Sequence, residues 1–199
     1  MSETTAPRRR DPSRADAQRN RARILDVAEK HFTEHSVSGS LQAIAKRAGV
    51  GAGTLYRHFP NRDVLLAALL RTRDQDLAAR REIIGREAAS SADALALWLE
   101  ALAQWATAFS GLPESLRVAL TEGSSPLTST CQQYITITND FLSAAQRDGS
   151  ARAGVRGREL FLAVLAISWV HSADSADEAS RSGISRLVQS GWERRGAYR

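Results

Sequence analysis

Ser40-Leu-Gln-Ala-Ile-Ala-Lys-Arg-Ala-Gly-Val-Gly-Ala-Gly-Thr-Leu-Tyr-Arg-His-Phe-Pro-Asn-Arg62 reads as two short helices joined by a tight turn. Ser40 is of the type that caps a helix, and Leu41, Ile44, Ala45 and Ala48 recur at helical steps over 41–48. Gly49 closes that helix, since a glycine after a C-terminus adopts the left-handed conformation without strain. A second helix over 52–58 stops before Pro60, with Leu55 and Phe59 facing inward. Upstream, Ile24, Leu25, Ala28 and Phe32 make one apolar stripe on a helix over 15–35, which Ser36-Val-Ser-Gly39 breaks. Downstream, Asn61 caps a fourth helix bearing Val64, Leu65, Ala68 and Leu69, expected to run to about residue 84, where Gly85 weakens it.

A long helix followed by two short ones around a glycine describes a helix-turn-helix. Such a unit lays its last helix in the major groove of DNA while the one before crosses the backbone. The charge agrees. Of 27 basic and 22 acidic residues, residues 1–62 carry 12 and 6, and residues 63–199 carry 15 and 16. The whole excess of the +5 chain therefore sits in its first third, as expected if one end meets an acidic partner. The basic residues are arginines apart from Lys30 and Lys46.

The quoted stretch resembles the DNA-binding signature of the TetR family of bacterial transcriptional repressors. That signature runs from a Ser/Thr opening the second helix, through Ile-Ala, Ala-Gly-Val and Thr-Leu-Tyr-X-His-Phe, to a basic residue starting helix four. The match covers about residues 15–70. The resemblance implies an all-α protein with an N-terminal three-helix DNA-binding head and a C-terminal helical bundle for ligand binding and dimerisation. The boundaries are then a disordered basic arm over 1–14, a head over 15–62 and a body over 63–199. Its site residues carry over as follows: Ser40 caps helix two beside a phosphate, and Thr54 and Tyr56 face the duplex from helix three. His58 and Arg62 clamp the backbone, with Tyr56 as a core residue and His58 as a packing residue the alternatives, and Lys46 and Arg57 either add charge or stand as plain solvated residues. The family often has a larger polar residue before Thr-Leu-Tyr; here Gly51, Ala52 and Gly53 offer few hydrogen bonds to bases. Gln42 is the candidate base reader, because its amide pairs bidentately with adenine. Arg8, Arg9 and Arg10 either enter a narrow minor groove or add only salt-dependent affinity.

The rest of the chain reads as further helices over 93–109, 114–120, 127–147, 156–171 and 176–194, separated by Gly, Pro and Ser turns. Tyr134-Ile-Thr-Ile-Thr138 alternates like a strand, yet a lone strand has no partner, so it is assigned to helix. The helix over 156–171 is apolar almost all round, and the last helix carries Ile184, Leu187, Val188 and Trp192 beside Gly183 and Ser190. With Phe161 and Leu165, these residues are the candidate homodimer interface, a four-helix contact between two copies. Two heads span half-sites about 34–36 Å apart or more, where one buries too little for tight binding. Trp98, Leu102, Trp105 and Phe109 face Leu127, Cys131, Tyr134, Thr138 and Phe141, and with Trp169 these aromatic and polar groups read either as a small-molecule pocket or as plain core.

Other classes fall away. One cysteine forms no internal disulfide, and one Cys with four His offers no zinc cluster, so neither metal nor cofactor is expected. No apolar stretch approaches the about 20 residues a membrane helix needs, and no signal peptide is visible, so a cytoplasmic protein is expected. No paired carboxylates, activated nucleophile or phosphate loop supports an enzyme. Two readings stay open: a repressor whose homodimer binds a palindromic operator and is released by a small apolar or aromatic ligand, and an architectural or partner-regulated DNA-binding factor without an inducer.

Overall fold

A computed structural model describes residues 12–172 and 177–194; the triple arginine of the expected arm lies outside them. The described residues form α1 (Pro12–His35), α2 (Leu41–Arg47), α3 (Ala52–His58), α4 (Arg62–Glu87), α5 (Ser91–Ala106), α6 (Leu112–Glu122), α7 (Pro126–Arg147), α8 (Gly157–Ser172) and α9 (Glu178–Trp192). The only extended pairing among them is an isolated bridge between Ala151 and Glu193. The all-α expectation holds.

Boundaries follow capping chemistry. Ser40 accepts a hydrogen bond from the Ala43 N–H and Asn61 from that of Val64, each satisfying an amide the helix itself leaves unpaired. Gly49 takes φ +63°, the left-handed stop after α2. Helix α1 includes Pro12 to Arg14, the last three residues of the expected arm. Helix α4 runs through Gly85 to Glu87: the buried Ile84 beside it anchors the last turn against the body. The alternating segment of α7 is helical because Cys131, Tyr134, Ile137 and Thr138 bury one face at three- and four-residue steps.

In the head, α1 supplies Ile24, Ala28 and Phe32 as a floor on which Ile44, Ala45, Leu55 and Phe59 of the two short helices and their edges pack. Arg21 lies over the Phe59 ring at 5.3 Å. The body is a bundle in which α5, α7 and α8 pack mutually, α4 covers α5 and α7, α6 closes one side, and α9 leans on α8. The end of α9 is pinned by the Arg152 N–H donating to the Trp192 carbonyl at 2.9 Å.

Head and body meet at two turns. The Val37 N–H, in the α1–α2 turn, donates to the Ser110 carbonyl, in the α5–α6 turn, at 2.8 Å. Phe32 meets Phe109 edge-on at 6.3 Å. Gly111 sits at φ +84°, and a Cβ there would lie 2.8 Å from Ser36 Oγ and 3.1 Å from Val37 Cγ2. Gly111→Ala is therefore expected to destabilise by at least the about 1–2 kcal/mol of a left-handed alanine. Gly85→Ala, with open space around its Cβ, is expected to stabilise by about 0.5–1 kcal/mol. Thermal denaturation of the two variants checks both signs.

Candidate nucleic-acid interface and body core

Helix α3 divides cleanly. Leu55 is fully buried against the head, whereas Tyr56 on the same helix is 42% exposed. Gly51, Ala52 and Gly53 are exposed at its start, and a Cβ built on either glycine meets nothing within 4 Å. Nothing in the fold itself demands glycine there. Thr54 and His58 are half-buried, and Arg57 donates to the Gly53 carbonyl at 3.2 Å and to Thr54 Oγ1 at 3.3 Å, which orders both side chains over the helix. Gln42 and Lys46 of α2 are exposed. The structure thus brings Gln42, Lys46, Thr54, Tyr56 and Arg57 onto the exposed sides of α2 and α3, with Ser40 at the cap.

Arg62 differs from expectation. Its NH1 donates to the Gly39 carbonyl at 2.7 Å and also to that of Val37, and the guanidinium lies over the Phe32 ring at 5.9 Å. A cation committed to two carbonyls and a ring holds the α1–α2 turn in place; it is a scaffold of the head rather than a free phosphate clamp.

In the body, the aromatics expected to line a pocket are packed. Trp98 is buried, donates to Thr138 Oγ1 at 2.9 Å and stacks on Phe141 at 5.4 Å, while Leu102, Phe109 and Cys131 are core. Burial pushes the Cys131 thiol up to about 12, so it is inert as a nucleophile at neutral pH. Trp105 and Tyr134 meet edge-on at 4.7 Å and share a partner absent from the sequence reading. Asp74 Oδ1 accepts from Trp105 Nε1 at 3.0 Å and from Tyr134 OH at 2.6 Å. This carboxylate on α4 ties α4 to α5 and α7 at once. Trp169, 60% exposed, lies outside the core altogether.

The expected dimer residues also separate. Phe161, Leu165 and Trp192 are buried inside the protomer, because α8 is the central helix of the bundle and α9 folds its end back onto it. Ile184 and Val188 are half-buried, and Leu187 is 71% exposed.

A family model described as bacterial regulatory proteins, tetR family, matches residues 24–69. A second, described as the C-terminal domain of SbtR-like transcriptional regulators, matches residues 90–193, more than half of the chain. A TetR transcriptional regulator from Streptomyces coelicolor is 30% identical, with 87% of this chain and 98% of that one covered and a TM-score of 0.56. The chain belongs to the TetR family of bacterial transcriptional regulators.

Two further comparisons fit that membership. A putative TetR-family regulator from Rhodococcus sp., 20% identical over 87% of this chain and 98% of its own with a TM-score of 0.59, shares the fold. An HTH-type transcriptional regulator of Staphylococcus aureus (strain USA300) is 45% identical over 65 residues, 32% of this chain. The chain spans about a third of the length of that curated relative. Members of this family are DNA-binding regulators, not enzymes. No helix among the described residues is long and apolar enough to cross a membrane.

The sequence held a signal for Asp74. Leu66, Leu70, Leu77 and Ile84 form the buried stripe of α4, and Asp74 occupies the same register, four residues after Leu70 and three before Leu77. A charge on an apolar stripe requires a partner. Burial raises the pKa of Asp74, against the opposing hydrogen bonds from Tyr134 and Trp105. Because the folded pKa lies above the unfolded one, the ionised group costs stability at neutral pH, and acidification through the folded pKa relieves that cost. Asp74→Asn retains an acceptor and removes the charge, so it should equal or exceed the native protein in stability at neutral pH. That advantage should shrink as the pH falls towards about 4, the ordinary carboxylate range. Asp74→Ala orphans two buried donors, at about 1–3 kcal/mol each. Chemical denaturation across pH measures all three proteins.

Proposed function

We propose that the protein is a homodimeric repressor that binds a palindromic operator through α2 and α3 and leaves it when a small, largely apolar molecule occupies the body. The observation that carries the DNA-binding surface is the division of α3, with Leu55 buried and Tyr56 exposed beside two glycines the fold does not require. A bare backbone at Gly51 and Gly53 lets α3 approach a duplex closely, so phosphate contacts and shape weigh more than hydrogen bonds to bases. In this reading Thr54, Tyr56 and His58 meet the backbone, Gln42 reads an edge, and Lys46 and Arg57 add charge.

Dimerisation is supported by the outer face of α8 and α9. Leu162 at 38%, Trp169 at 60% and Leu187 at 71% exposure are large apolar groups in water unless a second copy covers them. The head-to-body ties give release a route: α4 carries the head, and Asp74 fastens α4 to two body helices. A ligand shifts the operator-bound form only by its differential affinity for the two arrangements of these helices.

In vitro selection from random duplexes is expected to return inverted repeats. On the selected site, Tyr56→Ala and His58→Ala should each weaken binding about tenfold, as expected for about 1.4 kcal/mol, with the melting temperature unchanged. Undiminished affinity in both variants at moderate salt rejects the assignment. Arg62→Ala, by contrast, should lower the stability of the head itself. Leu187→Arg should shift the sedimenting species from twice 21.7 kDa to a single chain of native helicity. A folded factor that binds the selected DNA but is stabilised by no compound in a thermal-shift screen would favour the architectural reading.

A further inference from the structure

An opening among the described residues lies away from the seam of α5 and α7, where the aromatics suggested one. It is a groove of about 940 Å³ between α5, α8 and α9, towards the upper end of the about 300–1,000 Å³ that small-molecule sites occupy. Its apolar lining includes Leu99, Ala103, Val164, Ile167, Val188 and Trp192. Among the basic residues of that wall, Arg181 is loosely paired. Its side chain is 30% exposed, its guanidinium pairs with Glu178 at 4.0 Å and acts on Asp177 through space, and its Nε has no acceptor among the described residues. Glu178 and the other acid of the lining, Glu100, are both exposed, at the rim. A carboxylate in the groove would meet the accessible terminal nitrogens of Arg181 in a shorter, charge-assisted pair than Glu178 makes.

We infer that this groove binds an amphipathic carboxylate, its headgroup on Arg181 and its tail along α5 and α8 towards Trp192. The inference rests on the effector-released reading above and names the site and class of that effector. Polarity along the groove is set by the fold. Trp192 is held at the end where its carbonyl accepts from Arg152 and where Ser91, opening α5, bonds Asp148. Arg181, near the other end of α9, lines the same groove as Thr107 and Ser110 at the head end of α5. Ser110 is also the residue whose carbonyl holds the Val37 N–H of the head.

The groove and the proposed dimer face do not compete. Leu187 is two residues from both Ser185 and Gln189 of the lining, about 200° round the helix from each, so it points away from the groove. On α8, Trp169 is likewise two residues from both Ile167 and His171 of the lining. The site stays open when two copies pair.

Calorimetric titration of the full chain with dodecanoate, dodecanol and dodecyltrimethylammonium tests the proposal. Saturable 1:1 binding of dodecanoate per chain is expected, at least tenfold tighter than either other probe. Arg181→Gln should remove that preference while leaving dodecanol unchanged. Ser185→Trp, which fills the groove from an exposed position and leaves the arginine in place, should abolish binding of all three probes. Equal affinity for dodecanoate and dodecanol, or dodecanoate binding undiminished in both variants, overturns the site. Dodecanoate that binds as expected but does not displace operator DNA upholds the site and rejects the effector reading. A different compound that displaces DNA while dodecanoate fails to bind does the reverse.

Discussion

One half-buried carboxylate joins the parts of this molecule. Asp74 projects from the apolar stripe of α4 into the seam with α5 and α7, where the indole of Trp105 and the phenol of Tyr134 donate to the same oxygen. The seam tolerates a charge only because both donors are in place, and the donors avoid being orphaned only because the carboxylate is there. Since α4 begins at the head and ends in the body, its angle is set by this contact and by Ser125 Oγ donating to Asp63 at 2.5 Å. The paired turns at Val37 and Ser110 complete the fastening. Each tie is a short polar contact between elements far apart in sequence, joining body to head.

Polar groups elsewhere have comparable work. Arg62 stabilises the α1–α2 turn by bonding carbonyls that no helix satisfies, which places α2 and therefore α3. Among the described residues Arg181 bonds no carbonyl and is held by a long pair with Glu178 at 4.0 Å, and that contrast separates a structural arginine from a prospective binding group. Charge alone does not separate them, as both are arginines on half-buried helical positions.

Much of the helical plan was legible in the sequence. Ser40, Gly49, Pro60 and Asn61 mark boundaries through local chemistry, capping and forbidden torsions that act within four residues. The stripe Ile24, Ala28, Phe32 and the division between Leu55 and Tyr56 follow from helical periodicity. The body was harder. An aromatic stripe has the same spacing whether it lines a cavity or fills one, so Trp98, Leu102 and Phe109 could not be sorted without their neighbours. Phe161, Leu165 and Trp192 were indistinguishable from interface residues for the same reason: periodicity shows that a face is buried, not by what.

By itself the sequence determined an all-α chain, a helix-turn-helix head carrying the basic excess, and membership of a family with a distinctive junction motif. Those are local properties, written in caps, periodicity and composition. Only the tertiary structure decided that Arg62 is bound inward, that Asp74 latches α4, that the facing stripes of α5 and α7 are packed, and that a groove lies beside α9. Each depends on which residues from distant segments come within a few ångströms, and three-dimensional packing alone sets that distance.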